Sequence, residues 1–331
     1  MARQAARYDI LSLGDTTTDV FLEIHHASVH CHLRKQDCFL CINYADKVPV
    51  ERVTEVHAVG NAANNANGSA RLGLKTTIWT ILGNDPNGRQ ALKVFHDEGV
   101  DTRHIDTDTR RGTNYSVVLN FQAERTILVY HQDRQYRFPV LPRSSWVYLT
   151  SMGKGWETII PGLSRHLQRT GAHLGFNPGT HQMKSGLQTL KPLLAVTTAF
   201  IVNVEEAQRI LRETSRNVPL LLRSLKKYGP RFVVITDGRA GAYGYDGEAQ
   251  WWMPIYPDPK PVVERTGCGD SFSTGFLGAL ISGRSMLEGL KWGAANARMV
   301  VQYIGAREGL LTKPEILRTL RQFPRIVPKK Q

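Results

Sequence analysis

The stretch Glu264-Arg265-Thr266-Gly267-Cys268-Gly269-Asp270-Ser271-Phe272-Ser273-Thr274-Gly275-Phe276 is the one whose residue types most directly suggest chemistry. It follows a proline-rich loop (Pro254, Pro257, Pro259, Pro261) and opens a predicted helix. Gly267 and Gly269 let the backbone bend and approach a ligand closely. Amides at a helix start are unpaired within the helix and carry its positive end. Gly267, Cys268 and Gly269 therefore form a candidate anion hole for a transferring phosphoryl group. A carboxylate at that opening, Asp270, could take the proton of an attacking hydroxyl. Read alone, Asp270 is equally a helix N-cap.

Three more sets of residues have types suited to the same chemistry. Asp19, in Gly14-Asp15-Thr16-Thr17-Thr18-Asp19, and Asn64, in Val59-Gly60-Asn61-Ala62-Ala63-Asn64, are acceptors and donors for vicinal hydroxyls. Asn203-Val204-Glu205-Glu206 places an amide and a carboxylate after a strand, a pair that can hold magnesium through its water shell. Thr236-Asp237-Gly238-Arg239-Ala240-Gly241 is a turn beyond the apolar Phe232–Ile235 run, where open α/β sheets bind ligands. Each has a structural alternative: Asp19 caps a turn, Asn203 caps the following helix, and Gly238 and Gly241 turn a hairpin.

The elements that must position these residues alternate. Strands are expected at 8–13, 76–82, 146–150, 173–176, 199–202 and 231–235. Helices are expected at 61–72, 86–98, 157–169, 205–213, 219–228, 271–282 and 286–303, the second with Asp85 as N-cap and Pro86 in its first turn. That alternation argues for a mostly parallel sheet with helices on both faces, in a single domain spanning 1–331. Residues 20–57 carry strand-like pieces and no helix, and 114–130 read as a hairpin around Gln122-Ala123-Glu124-Arg125. Together they are expected to form a small β-sheet lid that excludes water from the reacting groups. Arg125, at the hairpin tip, is expected in a solvated turn, with a reach toward a substrate carboxylate or phosphate as the functional alternative.

Two long motifs in collinear order resemble those of the ribokinase-like (phosphofructokinase-B type) carbohydrate and nucleoside kinases. Gly267-Cys268-Gly269-Asp270 is similar to that family's T-G-A-G-D. Gly60-Asn61-Ala62-Ala63-Asn64, then Ala70-Arg71-Leu72-Gly73 and Gly83-Asn84-Asp85-Pro86-Asn87-Gly88, are similar to its G-G-x-x-x-N, A-R-L-G and G-x-D-x-x-G. The resemblance runs from Gly14 to Gly305. It implies Asp270 as catalytic base and Gly267, Cys268 and Gly269 as anion hole. It implies Asp19, Gly60 and Asn64 as substrate residues. It puts Asn203 and Glu206 near the phosphates and water-bound Mg2+, and Thr236, Gly238, Gly241 and Asn296 around the nucleotide. It also implies ATP as phosphoryl donor, a monovalent cation such as K+ at Glu264 and Thr266, and a homodimer formed through the lid. Three positions depart from the pattern. Val59 replaces the first Gly of the pair, Glu264 replaces an Asp, and Cys268 replaces an Ala. The expected activity is ATP-dependent phosphorylation of a sugar hydroxyl. A ribonucleoside kinase, stacking a base on Phe39, Tyr44 or Tyr130, a phosphosugar kinase and a silent sugar- or nucleotide-binding regulator are the alternatives.

Composition bounds the rest. The 331 residues are 41% hydrophobic and 21% charged, as in ordinary globular chains. No apolar run reaches transmembrane length, and the basic Met1–Arg7 segment leads into no signal-type core, so a cytoplasmic protein is expected. The net charge of +13 is scattered, with a basic tail at Arg318, Arg321, Arg325, Lys329 and Lys330. No nucleic-acid reading motif accompanies it, so neither nucleic acid nor membrane is the expected partner. Cys31, Cys38 and Cys41 lie near His25, His26, His30 and His32. With a lone C-x-x-C and no second half-site, reduced thiols in a plain segment are expected over a zinc site.

Overall fold

A computed structural model describes residues 7–31, 38–122 and 124–331. His32, Ala123 and Met1–Ala6 of the basic N-terminal segment lie outside the described residues.

Nine strands form the main sheet. Six are parallel, in the order Phe232–Thr236, Ala199–Asn203, His173–Phe176, Ser144–Leu149, Tyr8–Leu13, Thr76–Trp79. Ala242–Tyr245, Gln250–Met253 and Lys329–Lys330 extend one edge antiparallel. The expected strand over 76–82 is split: Thr80 separates Thr76–Trp79 from Ile81–Gly83, which pairs instead with Asp106–Asp108.

The parallel strands are apolar on both faces, as burial under two helical layers requires. Leu11, Leu13, Val147, Leu149, Phe200, Val202, Val233 and Ile235 point to one layer, built on Ile160–Thr170, Gly186–Leu194, Val204–Leu211 and Val218–Lys226. Ile10, Trp146, Tyr148, Ile201 and Val234 point to the other, built on Cys268–Ile281, Met286–Val300 and Lys313–Gln322. The period of two along each strand sorts these residues, so the register that buries the core also fixes which loops reach each strand end.

A separate four-stranded sheet, ordered Glu124–Tyr130, Asn114–Phe121, Thr17–Ile24, Val50–Val59, stands beside the main one. Its Thr17–Ile24 strand continues from Tyr8–Leu13 through Gly14, whose added Cβ would lie 2.9 Å from the Ser151 carbonyl. Val59 is buried at its base against Phe21, Val56 and Val118. A Ser28–Cys31/Cys38–Cys41 hairpin projects from it. Cys31 and Cys38 are joined by a disulfide and Cys41 is an exposed free thiol, which corrects the expectation of reduced thiols and removes two of the three sulfurs from any zinc site. No helix among the described residues is long and apolar enough to cross a membrane.

Candidate active site

The Cys268–Ile281 helix starts at Gly267, whose left-handed φ of 76° and contact with Ala306 leave no room for a side chain. Its first turn brings Gly267, Cys268, Gly269 and Asp270 to the wall of one cavity of about 150 Å³. Asp270 is thus in the first turn rather than at the N-cap. Its Oδ2 accepts a 2.7 Å hydrogen bond from Asn64 Nδ2 on the neighbouring Asn61–Arg71 helix. A chain of bonds fixes that approach. Ser12 donates to Asn65 Oδ1 at 2.7 Å, Asn65 donates to Thr274 Oγ1 at 3.2 Å, and Thr274 donates to the Asp270 carbonyl at 2.8 Å. Burial pushes the Asp270 carboxyl up to about 6; the Asn64 bond opposes this and the nearby Asp19 charge adds to it.

Asn203 and Glu206 lie on the same cavity. They also form a reciprocal capping box: Glu206 N–H donates to Asn203 Oδ1 at 2.8 Å, and Asn203 N–H donates to Glu206 Oε2 at 2.9 Å. The capping and ligand readings therefore describe the same pair. Burial raises the Glu206 carboxyl to about 7, and the Asp270 charge adds to the shift. Asn203 ends one parallel strand and Thr236 ends the next, so both sit at the carboxyl edge of the sheet.

A second cleft of about 390 Å³, within the ~300–1,000 Å³ typical of ligand sites, adjoins the first and shares Asn203, Thr236, Cys268 and Gly269 with it. Gly238 and Gly241 line it; they also turn the hairpin between Phe232–Thr236 and Ala242–Tyr245. Asn296 does not line it. Its amide is fully buried, donating to the Ser271 carbonyl at 2.8 Å and accepting from Leu311 N–H at 2.8 Å. Ala294, Ala297 and Arg298 form that wall instead, which corrects the expected nucleotide role of Asn296.

On the other side lie the residues expected to meet the acceptor. Asp19 is buried on the Thr17–Ile24 strand and burial pushes it up to about 6, with a Ser116 hydrogen bond opposing. Its Oδ1, and Asn64 Oδ1, are buried without a hydrogen-bond partner. Gly60, at φ 92°, caps the Asn61–Arg71 helix with its absent Cβ 3.1 Å from the Asp15 carbonyl. None of these three lines the smaller cavity, whereas Asn61 and Asn177 do, joined at 3.3 Å. Sequence reasoning passed over both. Asn177 directly follows the His173–Phe176 strand, and its place at a parallel strand's carboxyl end was the available signal.

The Glu264 carboxylate is buried. Its Oε1 accepts from Thr266 N–H at 2.7 Å, from the Thr266 hydroxyl, and from Arg125 Nη1 at 3.1 Å. Arg125 thus lies on a strand rather than in a turn, which corrects that reading; its Nη1 is committed to Glu264, while the residue stays exposed and lines the cavity that holds Asp270. The Glu264–Thr266 set expected to hold a monovalent cation already carries a guanidinium. Burial pushes the Cys268 thiol up to about 11, so it is poorly ionised near neutrality. Phe39, Tyr44 and Tyr130 are exposed and line neither cavity. His25 lies with Glu23 and Glu51 rather than with the cysteines.

The profile of the pfkB family carbohydrate kinases matches residues 34–313. An ATP-dependent 6-phosphofructokinase of Thermoanaerobacterium thermosaccharolyticum is 23% identical over 325 residues, covering 91% of this chain and 90% of that one. The structure of Arabidopsis thaliana ribokinase complexed with ribose and ATP superposes with a TM-score of 0.78 at 21% identity, covering 96% and 99% of the two chains. A nucleoside kinase of Methanocaldococcus jannaschii superposes at 0.77 with 16% identity, covering 96% and 100%. With a ribokinase-like sheet and a family match over most of its length, this chain belongs to the pfkB family of carbohydrate kinases, phosphotransferases with an alcohol acceptor.

Proposed function

We propose that this kinase transfers the γ-phosphoryl group of ATP to a hydroxyl of a small sugar, with Asp270 as general base. The observation that carries the reading is the position of Asp270. It is held by Asn64 at the start of a helix, in a cavity that opens into a nucleotide-sized cleft. The sugar lies toward the small sheet, which acts as a lid and as the surface for a homodimer. The unpartnered Oδ1 atoms of Asp19 and Asn64 accept its hydroxyls, since buried polar atoms of this kind are satisfied by a partner. Asn64 thereby touches both the base and the acceptor. Deprotonated Asp270 takes the proton of the attacking hydroxyl, and the first-turn amides of the Cys268–Ile281 helix stabilise charge on the transferring group. Glu206 and Asn203 would hold a magnesium ion through water, and that ion would neutralise phosphate charge. Positioning and electrostatics supply most of the rate in such transfers.

The test is ADP release from MgATP over a panel of fructose, ribose, 2-keto-3-deoxygluconate, fructose phosphates, adenosine, cytidine and inosine. Turnover of a sugar, abolished in Asp270→Asn, supports the reading. Turnover of nucleosides alone makes the chain a nucleoside kinase. No turnover with ATP binding intact leaves an acceptor outside the panel or a binding-only protein and shifts weight to the latter.

A further inference from the structure

We infer that Arg125 is a built-in counter-cation for the loop that forms the anion hole. Its guanidinium supplies at Glu264 the positive charge that a bound monovalent metal ion would otherwise supply, so turnover needs no potassium. The inference rests on the kinase reading above.

Glu264 is only 5% exposed, three residues before Gly267. A carboxylate at that depth is strongly destabilising unless a positive partner and hydrogen bonds accompany it. Both are present. The bonds from Thr266 tie the carboxylate to the backbone immediately before Gly267, and Arg125 Nη1 completes the set at 3.1 Å. Arg125 also lines the cavity that holds Asp270 and Glu206, and its charge acts on the Cys268 thiol at the start of the helix.

A second pair shows that the approach is registered. Glu124 and Arg125 are neighbours on the small sheet, and Glu264 and Arg265 are neighbours on the loop. Arg265 Nη1 lies 3.5 Å from Glu124 Oε1, so the two dipeptides cross with each charge facing its opposite. The Glu124–Arg265 pair is solvent-exposed and adds little energy. Its sign nonetheless disfavours any slip that would bring Arg125 against Arg265.

Glu264 Oε2 is buried and unpartnered, the one oxygen of this carboxylate still open to a cation. A metal ion there would share a single carboxylate with the guanidinium. Two positive charges held on one buried carboxylate repel each other. Guanidinium and metal ion are therefore competitors for Glu264. The strand that carries Arg125 belongs to the sheet that carries Asp19, so the same sheet that covers the acceptor brings this charge to the anion hole.

The experiment measures turnover of MgATP with the best panel substrate in choline, sodium and potassium chloride. The wild type is expected to turn over equally in all three. Arg125→Met is expected to lose on the order of a hundredfold in kcat in choline, the lower end of the ~10²–10³ scale of a lost anion-hole contact. It is expected to recover on addition of potassium or of guanidinium at sub-denaturing concentration. Such rescue would not follow from a packing defect. The Arg125→Met/Glu264→Gln pair removes both charges together. It is expected to be folded where the single variant is impaired, and indifferent to either cation. A wild type that works only with potassium overturns the inference alone. So does an Arg125→Met enzyme fully active in choline, a folded one that neither cation rescues, or a double variant that responds to cations as the single one does. A wild type inactive on every panel member overturns the kinase reading, and this inference falls with it.

Discussion

The proton balance of Asp270 ties its chemistry to its cost in stability. The base role proposed for Asp270 needs the anion, and burial has moved this carboxyl up to about 6. The kcat/KM of the enzyme should therefore fall about tenfold per pH unit below that value, and a profile flat down to pH 4 would remove Asp270 from the role. Asp270→Asn should keep the shape, retain the contact with Asn64 and lower kcat by ~10²–10⁴-fold. The same shift has a sign for folding. A carboxyl whose folded pKa is raised binds its proton more tightly in the folded chain than in the unfolded one. Its stabilising contribution is complete below the ordinary value of 3.8 and is lost as pH rises through about 6. Above that, the folded protein carries an unfavourable buried charge, which Asn removes. Thermal melts should show Asp270→Asn more stable than the wild type at pH 8 and no more stable at pH 4. An Asn variant that melts lower at pH 8 would mean that the charge is compensated by partners beyond Asn64. The place of this residue in the first turn of a helix was legible in the sequence from the two glycines before it, whereas its bond to Asn64, 206 residues away, was not. Asn296 was not legible, because an amide that bonds to Ser271 and Leu311 looks the same in one dimension as an amide that bonds to a ligand.

Two helices set the position of Asp270, and their closeness is written in small residues. Gly68, on Asn61–Arg71, faces Thr274 on Cys268–Ile281; a Cβ at 68 would stand 2.7 Å from Thr274 Cγ2. Thr274 cannot simply turn away without breaking its bonds to Asn65 and to the Asp270 carbonyl. Gly68→Val should therefore push the helices apart, costing about 1–3 kcal/mol of overpacking and lengthening the Asn64–Asp270 contact. Denaturant melts and kcat should fall together; normal turnover in a destabilised Gly68→Val enzyme would show that the base keeps its place without this contact. The alternation of strands and helices was legible where each element has its own period and its own stop, as in His173–Phe176 or the Asp85-capped Pro86–Asp97 helix. Gln250–Met253 and Lys329–Lys330 exist as strands because neighbours pair with them, a cause that no local pattern records. Gly186–Leu194 begins at a left-handed glycine and contains Pro192, yet is held by burial of Leu190, Leu193 and Leu194. Lys313–Gln322 does carry a readable start, Thr312 with Glu315 three residues on and Pro314 between them. The hairpin at 114–130 was legible, but its tip contact with Glu264 spans 139 residues and lies beyond any spacing rule.

At the scale of the molecule, the small sheet ends on one side in an exposed strand. Glu124–Tyr130 is exposed along its whole length, with Leu128 54%, Val129 58% and Tyr130 63% accessible, and Val53 on the same sheet is 57% accessible. An edge strand with apolar side chains is a template for another strand unless charge or cover protects it. Here the charged pair Glu124-Arg125 guards only its first turn of sequence, where both residues are already paired with the anion-hole loop. In the proposed homodimer a second copy of the chain would cover this strand, since a two-fold arrangement buries the same apolar strand from both sides. The net charge of +13 opposes this, since each copy repels the other. The two effects make opposite demands on salt. Screening weakens the repulsion and leaves apolar burial intact, so the dimer should strengthen as salt is added. Binding of nucleic acid to a basic surface would weaken steeply over the same range. Light scattering at rising protein concentration, in low and high salt, is expected to show a dimer favoured by salt, and Val129→Glu is expected to shift it to monomer. A monomer at every concentration and salt would leave the exposed strand to be covered by something other than a copy of this chain.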